Sequence, residues 1–322
     1  MLTNFFLNNK SFKEIKNDEI KESVSKKNSA IWTHISNINP EELEILKDVF
    51  QIHPTTVEDI FSGQTRTKYE EFEEYTFIIF KGIKTIKKDS IETYNISIII
   101  GENFILTSSS PSCETVEELC KNKKRIENLL KKGKDYIAHF ILDKEIDKYL
   151  KIKTLCGEEL KEIEREFMEN QSGDILKKIF SKELNFLELR QLSESATDLC
   201  LIITKPADNY IDNNLIPYFR DIYDHAFKTT EGYKSMLGRM NGIKNMYATI
   251  TSMKTNEVMR SLTIIMALMM PLTLITGFWG MNVKLPFQNS FYAPIYLTLI
   301  MIFLSGLMIW ISKKRGWILN KD

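Results

Sequence analysis

The sequence has no excess of charge of either sign, and this absence excludes two classes of protein. Lys and Arg together number 43 in the 322-residue chain, and Asp and Glu also number 43. Nucleic-acid-binding domains usually carry a basic excess, and acidic disordered chains carry few hydrophobic residues, whereas this chain is 43% hydrophobic. We therefore expect a folded protein with no nucleic-acid partner.

Residue patterns that carry catalysis or bind nucleotides are also missing. No stretch fits the phosphate-binding pattern G-x-x-x-x-G-K-[ST] or the hydrolase pattern G-x-S-x-G. The cysteines form no C-x-x-C pair, so reduced structural thiols are expected, and the histidines form no H-E-x-x-H metal site. These residues are Cys113, Cys120, Cys156 and Cys200, and His34, His53, His139 and His225. The sequence predicts no enzyme activity and no nucleotide partner.

Charge is distributed unevenly along the chain. Residues 1–260 carry 38 basic and 42 acidic residues, whereas residues 261–322 carry five basic residues and one acidic residue. The first residues have no basic stretch, and their apolar run is too short for a signal peptide. We therefore expect residues 1–260 to remain in the cytoplasm, where they are long enough to bury their own core.

Two uncharged stretches near the C-terminus are long enough to cross a lipid bilayer. They cover residues 261–283 and 285–312, which are 23 and 28 residues long, and a membrane-spanning helix needs about 20. Basic residues flank the pair on both sides: Lys254 and Arg260 before it, and Lys313, Lys314 and Arg315 after it. Because cytoplasmic flanks carry the excess of Lys and Arg, we expect a multi-pass protein of the cell (inner or plasma) membrane with both termini cytoplasmic.

The chain is predicted to have an α+β cytoplasmic region followed by a very long helix and a second transmembrane helix. We expect a cytoplasmic α/β-plus-helical domain over residues 1–212, a cytoplasmic stalk helix over 213–260, a pore-lining transmembrane helix 1 over 261–282, an outer loop over 283–290, transmembrane helix 2 over 291–311 and a basic cytoplasmic tail over 312–322. The α/β part should precede the long helices, because β-rich apolar runs give way to helical periodicity after Ser112.

Local patterns predict the elements of the cytoplasmic region. Helices are expected to begin near Pro40 and Pro54, since proline is favoured in the first helical turn. A short apolar run lies at residues 31–35, and strands are predicted at residues 75–80, 91–100 and 104–107, with a tight Gly/Asn turn between the last two. Long helices over 134–169 and 174–205 should form an antiparallel hairpin.

One helix is predicted to run from the stalk through the first span. No stop signal occurs between Asn213 and Gly280, which allows a helix of about 60 residues, roughly 90 Å long. Gly232, Gly238 and Gly242 each cost about 1 kcal/mol in a helix relative to Ala. They are expected either to permit close helix packing or to interrupt the helix.

One face of this predicted helix carries uncharged residues only. At about 100° per residue its members fall within an arc of roughly 140°, polar in the lower half and apolar up to Thr273 and Gly277. We call this face the stripe: Asn241, Asn245, Thr249, Ser252, Asn256, Met259, Leu262, Met266, Met270, Thr273 and Gly277. Several copies around an axis would create rings of neutral oxygens below a Met/Leu constriction. Ion channels use such rings for selectivity and such constrictions for gating. A helix-packing seam is the alternative.

The predicted helix ends in Gly280-Met281-Asn282, where Asn282 places a neutral oxygen at the outer end of the span. Mg²⁺ holds its octahedral water shell at about 2.0–2.1 Å and dehydrates reluctantly. A pore for Mg²⁺ would therefore hold the hydrated ion with neutral acceptors, since a full ring of carboxylates would release it slowly.

This ending resembles the signature of the CorA family of magnesium transporters. Two further stretches resemble the family's pore helix and the start of its stalk: Asn256-Glu-Val-Met-Arg-Ser-Leu-Thr-Ile-Ile with the following Met270-Pro-Leu-Thr, and Pro217-Tyr-Phe-Arg-Asp-Ile-Tyr-Asp-His225. The strong resemblance covers about residues 213–316. It implies a homopentamer in the lipid bilayer with a funnel-shaped cytoplasmic domain, in which five first spans line the pore and the second spans surround them.

The resemblance also implies roles for individual residues. Gly280, Met281 and Asn282 correspond to the loop that selects hydrated Mg²⁺ at the outer mouth, and Met259 and Leu262 correspond to a hydrophobic gate. With the stripe positions Asn245 and Met266 added, the predicted pore-lining set is Asn245, Asn256, Met259, Leu262, Met266, Met270, Thr273 and Gly277.

A second, cytoplasmic Mg²⁺ site is implied between neighbouring subunits. Asp221 occupies the acidic position of the matched Pro-Tyr-Phe-Arg-Asp stretch, and Glu73 and Glu74, which precede Tyr75, are its expected partners. Regulatory Mg²⁺ at these carboxylates would close the pore. A solvated strand edge is the alternative reading of Glu73 and Glu74.

Two departures from the family pattern affect the ion more than the fold. Asn245 stands where some relatives place Asp, and Lys284 follows the Gly-Met-Asn loop where an acidic segment is common.

We expect passive Mg²⁺ uptake, with Mg²⁺ as transported and regulatory ion. The alternatives are a Co²⁺/Ni²⁺ or Zn²⁺ transporter of the same architecture, a membrane-anchored cytoplasmic sensor that binds a partner, and, least favoured, a membrane-tethered enzyme.

Overall fold

The computed structural model describes residues 2–8, 11–24, 26, 29–36, 47–63, 65–87, 90–110, 113–205, 210–282 and 291–315. The chain divides into two compact units, Met1–Ile243 and Lys244–Asp322. The order of elements confirms the predicted fold class: a mixed α/β N-terminal part, a very long helix and a second apolar helix. The start of the helix expected from Pro40, the outer loop with Lys284, and residues 316–322 lie outside the described residues, whereas residues 47–50 are helical.

Strands and helices have the following bounds. The strands are β1 Leu2–Asn8, β2 Phe12–Ile15, β3 Ser29–Ser36, β4 Lys68–Glu71, β5 Tyr75–Ile86, β6 Ile91–Gly101 and β7 Phe104–Ser109. The α-helices are α1 Ile20–Val24, α2 Pro54–Ser62, α3 Glu114–Lys121, α4 Lys123–Lys132, α5 Asp135–Glu169, α6 Gly173–Ile203, α7 Ile216–Trp279 and α8 Ala293–Lys314.

Among the described residues, seven strands form one sheet in the order β2-β1-β3-β7-β6-β5-β4. The central β3 and β7 pair in parallel, and the other neighbours pair antiparallel. The turn predicted between β6 and β7 is confirmed, and a side chain at Gly101 would lie 2.2 Å from the Phe104 ring. Glycine is required there because nothing larger than hydrogen fits beside that ring.

The sequence analysis missed β1 and β2. The strand β1 pairs with β3 so that Phe5 lies opposite Trp32, and the two rings stack with centroids 5.3 Å apart. Both side chains are buried. This strand depends on a partner that lies about 25 residues away along the chain, which the local pattern of β1 does not indicate.

Both faces of the sheet are covered, so its central strands read as continuous apolar runs. Ile98, Ile99 and Ile100 of β6 are all fully buried. On the helical face, the Phe80 and Tyr149 rings lie 5.8 Å apart, and the Tyr149 hydroxyl donates a 2.7 Å hydrogen bond to the Lys81 carbonyl oxygen. Each such side chain contributes about 1.5–3 kcal/mol by leaving water, so the N-terminal unit has a complete core of its own.

The two long helices α5 and α6 form the predicted antiparallel hairpin. Glu166 of α5 pairs with Lys178 of α6 at 2.6 Å, and Glu159 pairs with Lys182 at 2.8 Å. With increasing distance from the turn, the paired residue numbers fall along α5 and rise along α6, as antiparallel pairing requires. Gly157 does not interrupt α5.

The long helix α7 is unbroken over 64 residues and contains Pro271 within its span. Its length is about 95 Å at 1.5 Å per residue. None of the three glycines interrupts it, and close packing is found at Gly232, where an added side chain would meet the Lys153 side chain at 2.5 Å. Nothing lies within 4 Å of an added side chain at Gly238 or Gly242, so at these two positions close packing remains a prediction about contacts with other copies.

Within the described part of the chain, two helices are long and apolar enough to cross a membrane. One is the upper part of α7, and the other is α8, which has 22 residues and a mean hydropathy of 2.2 in its most apolar window. The corresponding window of α7 has a mean hydropathy of 1.9, and none of it is buried. These helices agree with the two spans predicted from the uncharged stretches.

Candidate ion pathway and regulatory carboxylates

The predicted pore-lining residues all lie on α7 and face away from the rest of their own chain. Met259 is 54% exposed, Leu262 47%, Met266 50% and Met270 72%. The other four predicted residues are also exposed: Asn245, Asn256, Thr273 and Gly277. A single chain therefore leaves this face for lipid, for water or for further copies.

The threonine hydroxyl oxygens on the stripe can accept hydrogen bonds from outside the chain. The Thr273 hydroxyl donates to the Met269 carbonyl oxygen at 3.0 Å, and the Thr249 hydroxyl donates to the Asn245 carbonyl oxygen at 2.9 Å. Because each hydroxyl proton is held by the helix backbone, the oxygen lone pairs remain for outside donors. Such oxygens can accept hydrogen bonds from the water molecules that surround a hydrated cation.

The predicted filter residues form the turn that ends α7. The helix ends at Trp279, and the Gly280 amide still donates to the Thr276 carbonyl oxygen at 2.9 Å. A side-chain carbon at Gly280 would lie 3.1 Å from that same oxygen, so a larger residue would push against the helix backbone. Met281 and Asn282 are exposed beyond the turn, where the Asn282 amide oxygen is available to a ligand.

The predicted regulatory carboxylates do not meet within one chain. Asp221 is exposed on α7, whereas Glu73 and Glu74 form the bend between β4 and β5. With the Gln51 amide assigned so that its nitrogen faces the acid, that nitrogen lies 3.1 and 3.2 Å from the two Glu74 carboxylate oxygens. The Tyr210 hydroxyl donates to the Glu73 carbonyl oxygen. Among the described residues, no group of three or more His, Cys, Asp or Glu side chains could hold a metal ion.

Asp221 has neighbours on α5 that the sequence analysis missed. His139 packs edge-on against Tyr218 and Phe219, the residues just before Arg220 and Asp221, with ring centroids 5.7 and 5.5 Å away. Burial lowers the pKa of His139, opposed by the negative charges of Asp143, Asp221 and Asp135. The spacing of four between residues 135, 139 and 143 was the signal that could have shown that these side chains share one helix face.

The cysteines are free thiols, as predicted. Burial raises the pKa of Cys113 and Cys156 to about 11 and that of Cys120 and Cys200 to about 12. They stay protonated near neutral pH, and metals bind the thiolate form. None of them lies on α7, so the polar groups of the stripe are neutral oxygens, amides and thioethers.

Comparisons with known proteins agree with this architecture. The family model of the CorA-like Mg²⁺ transporter protein matches residues 27–314. The cobalt/magnesium transport protein CorA of Thermotoga maritima is 26% identical over 314 residues, covering 95% of this chain and 89% of that protein. The putative metal ion transporter YfjQ of Bacillus subtilis is 28% identical, covering 89% and 90%.

A solved structure shows the same fold. The CorA magnesium transporter of Methanocaldococcus jannaschii superposes with a TM-score of 0.79 at 19% sequence identity, covering 99% of both chains. The family match extends over the strands β3 to β7, the helical hairpin, α7 and α8. This protein therefore belongs to the family of CorA-like Mg²⁺ transporter proteins, which are membrane transporters rather than enzymes.

Proposed function

We propose that this protein is a passive Mg²⁺ uptake channel, assembled as a homopentamer in which five copies of α7 line a central pathway. The observation that carries the proposal is the stripe, which is uncharged, exposed in the single chain and carried by one unbroken helix. A face with neutral acceptors at both ends gains little from lipid. It gains hydrogen bonds when it faces water.

Selection would occur at the Gly280-Met281-Asn282 turn. Five Asn282 amide oxygens would accept hydrogen bonds from the water shell of Mg²⁺ without removing that shell, which Mg²⁺ gives up reluctantly. Five Thr273 hydroxyls, each with its proton held by the Met269 carbonyl oxygen, would repeat this arrangement deeper in the span. The ring of Met259 and Leu262 below them would close the pathway by excluding water.

The driving force would be the membrane potential. It is worth about 2.3 kcal/mol per charge for each 100 mV, and a divalent ion gains roughly twice that. Family relatives are transporters, and nothing in the sequence provides a phosphate-binding loop. Inward movement of Mg²⁺ down this gradient requires no nucleotide.

Closure would depend on carboxylates from two chains. Asp221, Glu73 and Glu74 are oxygen ligands of the kind that Mg²⁺ prefers, but one chain keeps them apart. Asp221 of one copy could meet Glu73 and Glu74 of the next, with a bound divalent cation offsetting the repulsion between the acids. Mg²⁺ would then favour the closed state through its higher affinity for that state.

Cobalt is the second transported ion to test. The T. maritima relative is described as a cobalt/magnesium transport protein, and neutral oxygens that hold a hydrated ion discriminate weakly between divalent ions of similar size. Ni²⁺ and Zn²⁺ belong in the same comparison, because Asn245 and Lys284 depart from the family pattern at the two ends of the pathway.

The test is ion flux into proteoliposomes under an imposed membrane potential. The wild-type protein is expected to carry Mg²⁺, and Asn282→Ala is expected to lower that flux at least tenfold. Thr298→Ala, in the second span, is the control and should leave flux unchanged. Equal Mg²⁺ flux by Asn282→Ala and wild type would remove Asn282 from the filter, and faster flux of Co²⁺, Ni²⁺ or Zn²⁺ than of Mg²⁺ would overturn the choice of ion.

A further inference from the structure

Three methionines of α7 lie almost on one line along the helix. Met259, Met266 and Met270 fall within an arc of about 40° at 100° per residue, which is much narrower than the whole stripe. Met266 is about 10.5 Å above Met259, and Met270 is about 6 Å further on. All three are at least half exposed in the single chain. We call this set the thioether line.

The upper part of the thioether line opens onto a shared space. A shallow, open groove of about 730 Å³ is lined by Met266 and Met270, by five further residues of α7, and by Met281 just beyond its end. The five are Met269, Thr273, Leu274, Gly277 and Phe278. Four of the eight lining residues are methionines. The open face of this groove is therefore rich in thioether side chains, and its other lining residues are mostly apolar.

A thioether sulfur discriminates sharply between hard and soft cations. Mg²⁺ takes oxygen ligands and keeps its water, so it finds no ligand at the methionines. Soft monovalent cations of the Cu⁺ type bind thioether sulfur, and Ag⁺ has the same closed d¹⁰ shell and low charge. The same apolar residues that would let hydrated Mg²⁺ pass without binding would hold such an ion.

We propose that the thioether line is a binding site for soft monovalent cations, Ag⁺ and Cu⁺, and that such an ion bound there blocks the pathway. The block rests on the proposed function, because it requires copies of α7 to face one conduit. In that arrangement each methionine position provides up to five sulfurs at one level. The spacing of four between Met266 and Met270 places two such levels within reach of one another.

Ag⁺ binding to the cysteines can be separated from Ag⁺ binding to the thioether line. All four lie between residues 113 and 200 in the N-terminal unit, and Cys113, Cys156 and Cys200 are buried. They are present in every variant compared below, so any Ag⁺ that they bind is common to all of them. The second span provides matched methionines, Met301 and Met308, at the same spacing of seven as Met259 and Met266.

The experiment measures Mg²⁺ flux into chloride-free, nitrate-buffered proteoliposomes as AgNO₃ is added. Low micromolar Ag⁺ is expected to lower wild-type flux at least tenfold. The triple variant Met259→Leu, Met266→Leu, Met270→Leu keeps apolar side chains of similar volume and should need at least tenfold more Ag⁺ for half-block of its own flux. The Met301→Leu, Met308→Leu control should be blocked as wild type is. Equal sensitivity of the triple variant and wild type overturns the proposal.

A second readout separates this site from the transport proposal. Calorimetric titration of the detergent-solubilised full chain with AgNO₃ should show at least one more Ag⁺ bound per assembly by wild type than by the triple variant, and equal binding overturns the site. If wild type carries no Mg²⁺ before Ag⁺ is added, the transport proposal is wrong, and this binding difference alone decides the site. Should the triple variant fail to fold, Met266→Leu against Met301→Leu makes the same comparison with one methionine each.

Discussion

The lower and upper parts of α7 differ in what surrounds them. Below Ile243 the helix buries large side chains against its own chain, among them Phe219, Tyr233 and Met240. From residue 244 to residue 282 every side chain is exposed or half exposed. One continuous helix therefore passes from a completed protein core into a region where its own chain offers no cover.

This difference indicates where each part obtains its stability. The N-terminal unit encloses its apolar surface with its own strands and helices, so its side chains are held by intramolecular packing. The upper part of α7 and α8 leave apolar and neutral polar side chains outside, so they depend on the bilayer and, in the proposed assembly, on further copies. Substitutions should accordingly act on folding in the first region and on transport in the second.

The largest expected effect is on the core. Phe80→Ala removes a fully buried ring that packs on Tyr149, and such truncations cost about 3–5 kcal/mol. Leu262→Ala, on the exposed stripe, should change the free energy of unfolding by less than about 0.5 kcal/mol. Denaturant unfolding of the detergent-solubilised chain, followed by far-UV circular dichroism, measures both. Similar losses for the two variants would break the comparison.

The second effect is a pH dependence confined to the N-terminal unit. Burial lowers the pKa of His34 to about 4 from an ordinary value of 6.5. Below pH 6.5 the unfolded chain binds a proton that the folded chain does not, so stability falls as the pH drops from about 6.5 to about 4. The full loss is roughly 3 kcal/mol. Unfolding free energies of wild type and His34→Asn at pH 7 and pH 5 should show a shallower slope for the variant, and parallel slopes would rule out His34 as the cause.

The third effect concerns shut-off rather than folding. Asp221→Ala removes a proposed ligand of the closed state, so flux should persist at internal Mg²⁺ concentrations that close the wild type, with half-closure shifted upward about tenfold. Asp224→Ala, an exposed acid one turn further along α7, is the matched control and should close normally. Shut-off unchanged in Asp221→Ala would remove this residue from regulation.

The smallest effect sharpens the comparison at the boundary between the two parts of α7. Within one chain, nothing lies within 4 Å of a side chain added at Gly238. Gly238→Ala should therefore raise the stability of the folded monomer by about 0.5–1 kcal/mol, because Ala is the better helix former. A loss of assembled protein on size-exclusion chromatography would show instead that another copy packs against this glycine.

Local pattern was enough to predict most of the helices and the strands β5 to β7. Apolar periodicity and turn residues lie within each of these elements, and the unbroken α7 follows from the absence of a stop signal before Gly280. The strand β1 was missed because its evidence is the pairing of Phe5 with Trp32, which is not local. The sequence could not separate Gly232, which is closely packed, from Gly238 and Gly242 for a similar reason, since only the folded neighbours show whether a backbone is approached.

The candidate site divides in the same way. Helical geometry alone collected Thr273, Met266 and the other stripe residues on one face, and the structure shows that this face is left uncovered by its own chain. The neighbours of Asp221 were not found, because His139 and Asp143 come from a helix some 80 residues earlier. Contacts between copies, which the proposed filter and shut-off both require, lie beyond what a single sequence pattern can indicate.

The central claim is that the stripe faces water and the second span does not. Thr273 and Thr298 make a matched pair, since each lies in a span and each hydroxyl donates to the carbonyl oxygen four residues earlier. Proteoliposomes holding Thr273→Cys or Thr298→Cys would be treated with a charged, membrane-impermeant thiol reagent at low Mg²⁺. We expect Thr273→Cys to react and its Mg²⁺ flux to fall at least tenfold, while Thr298→Cys is unaffected. Reaction at Thr298→Cys with none at Thr273→Cys would contradict the account.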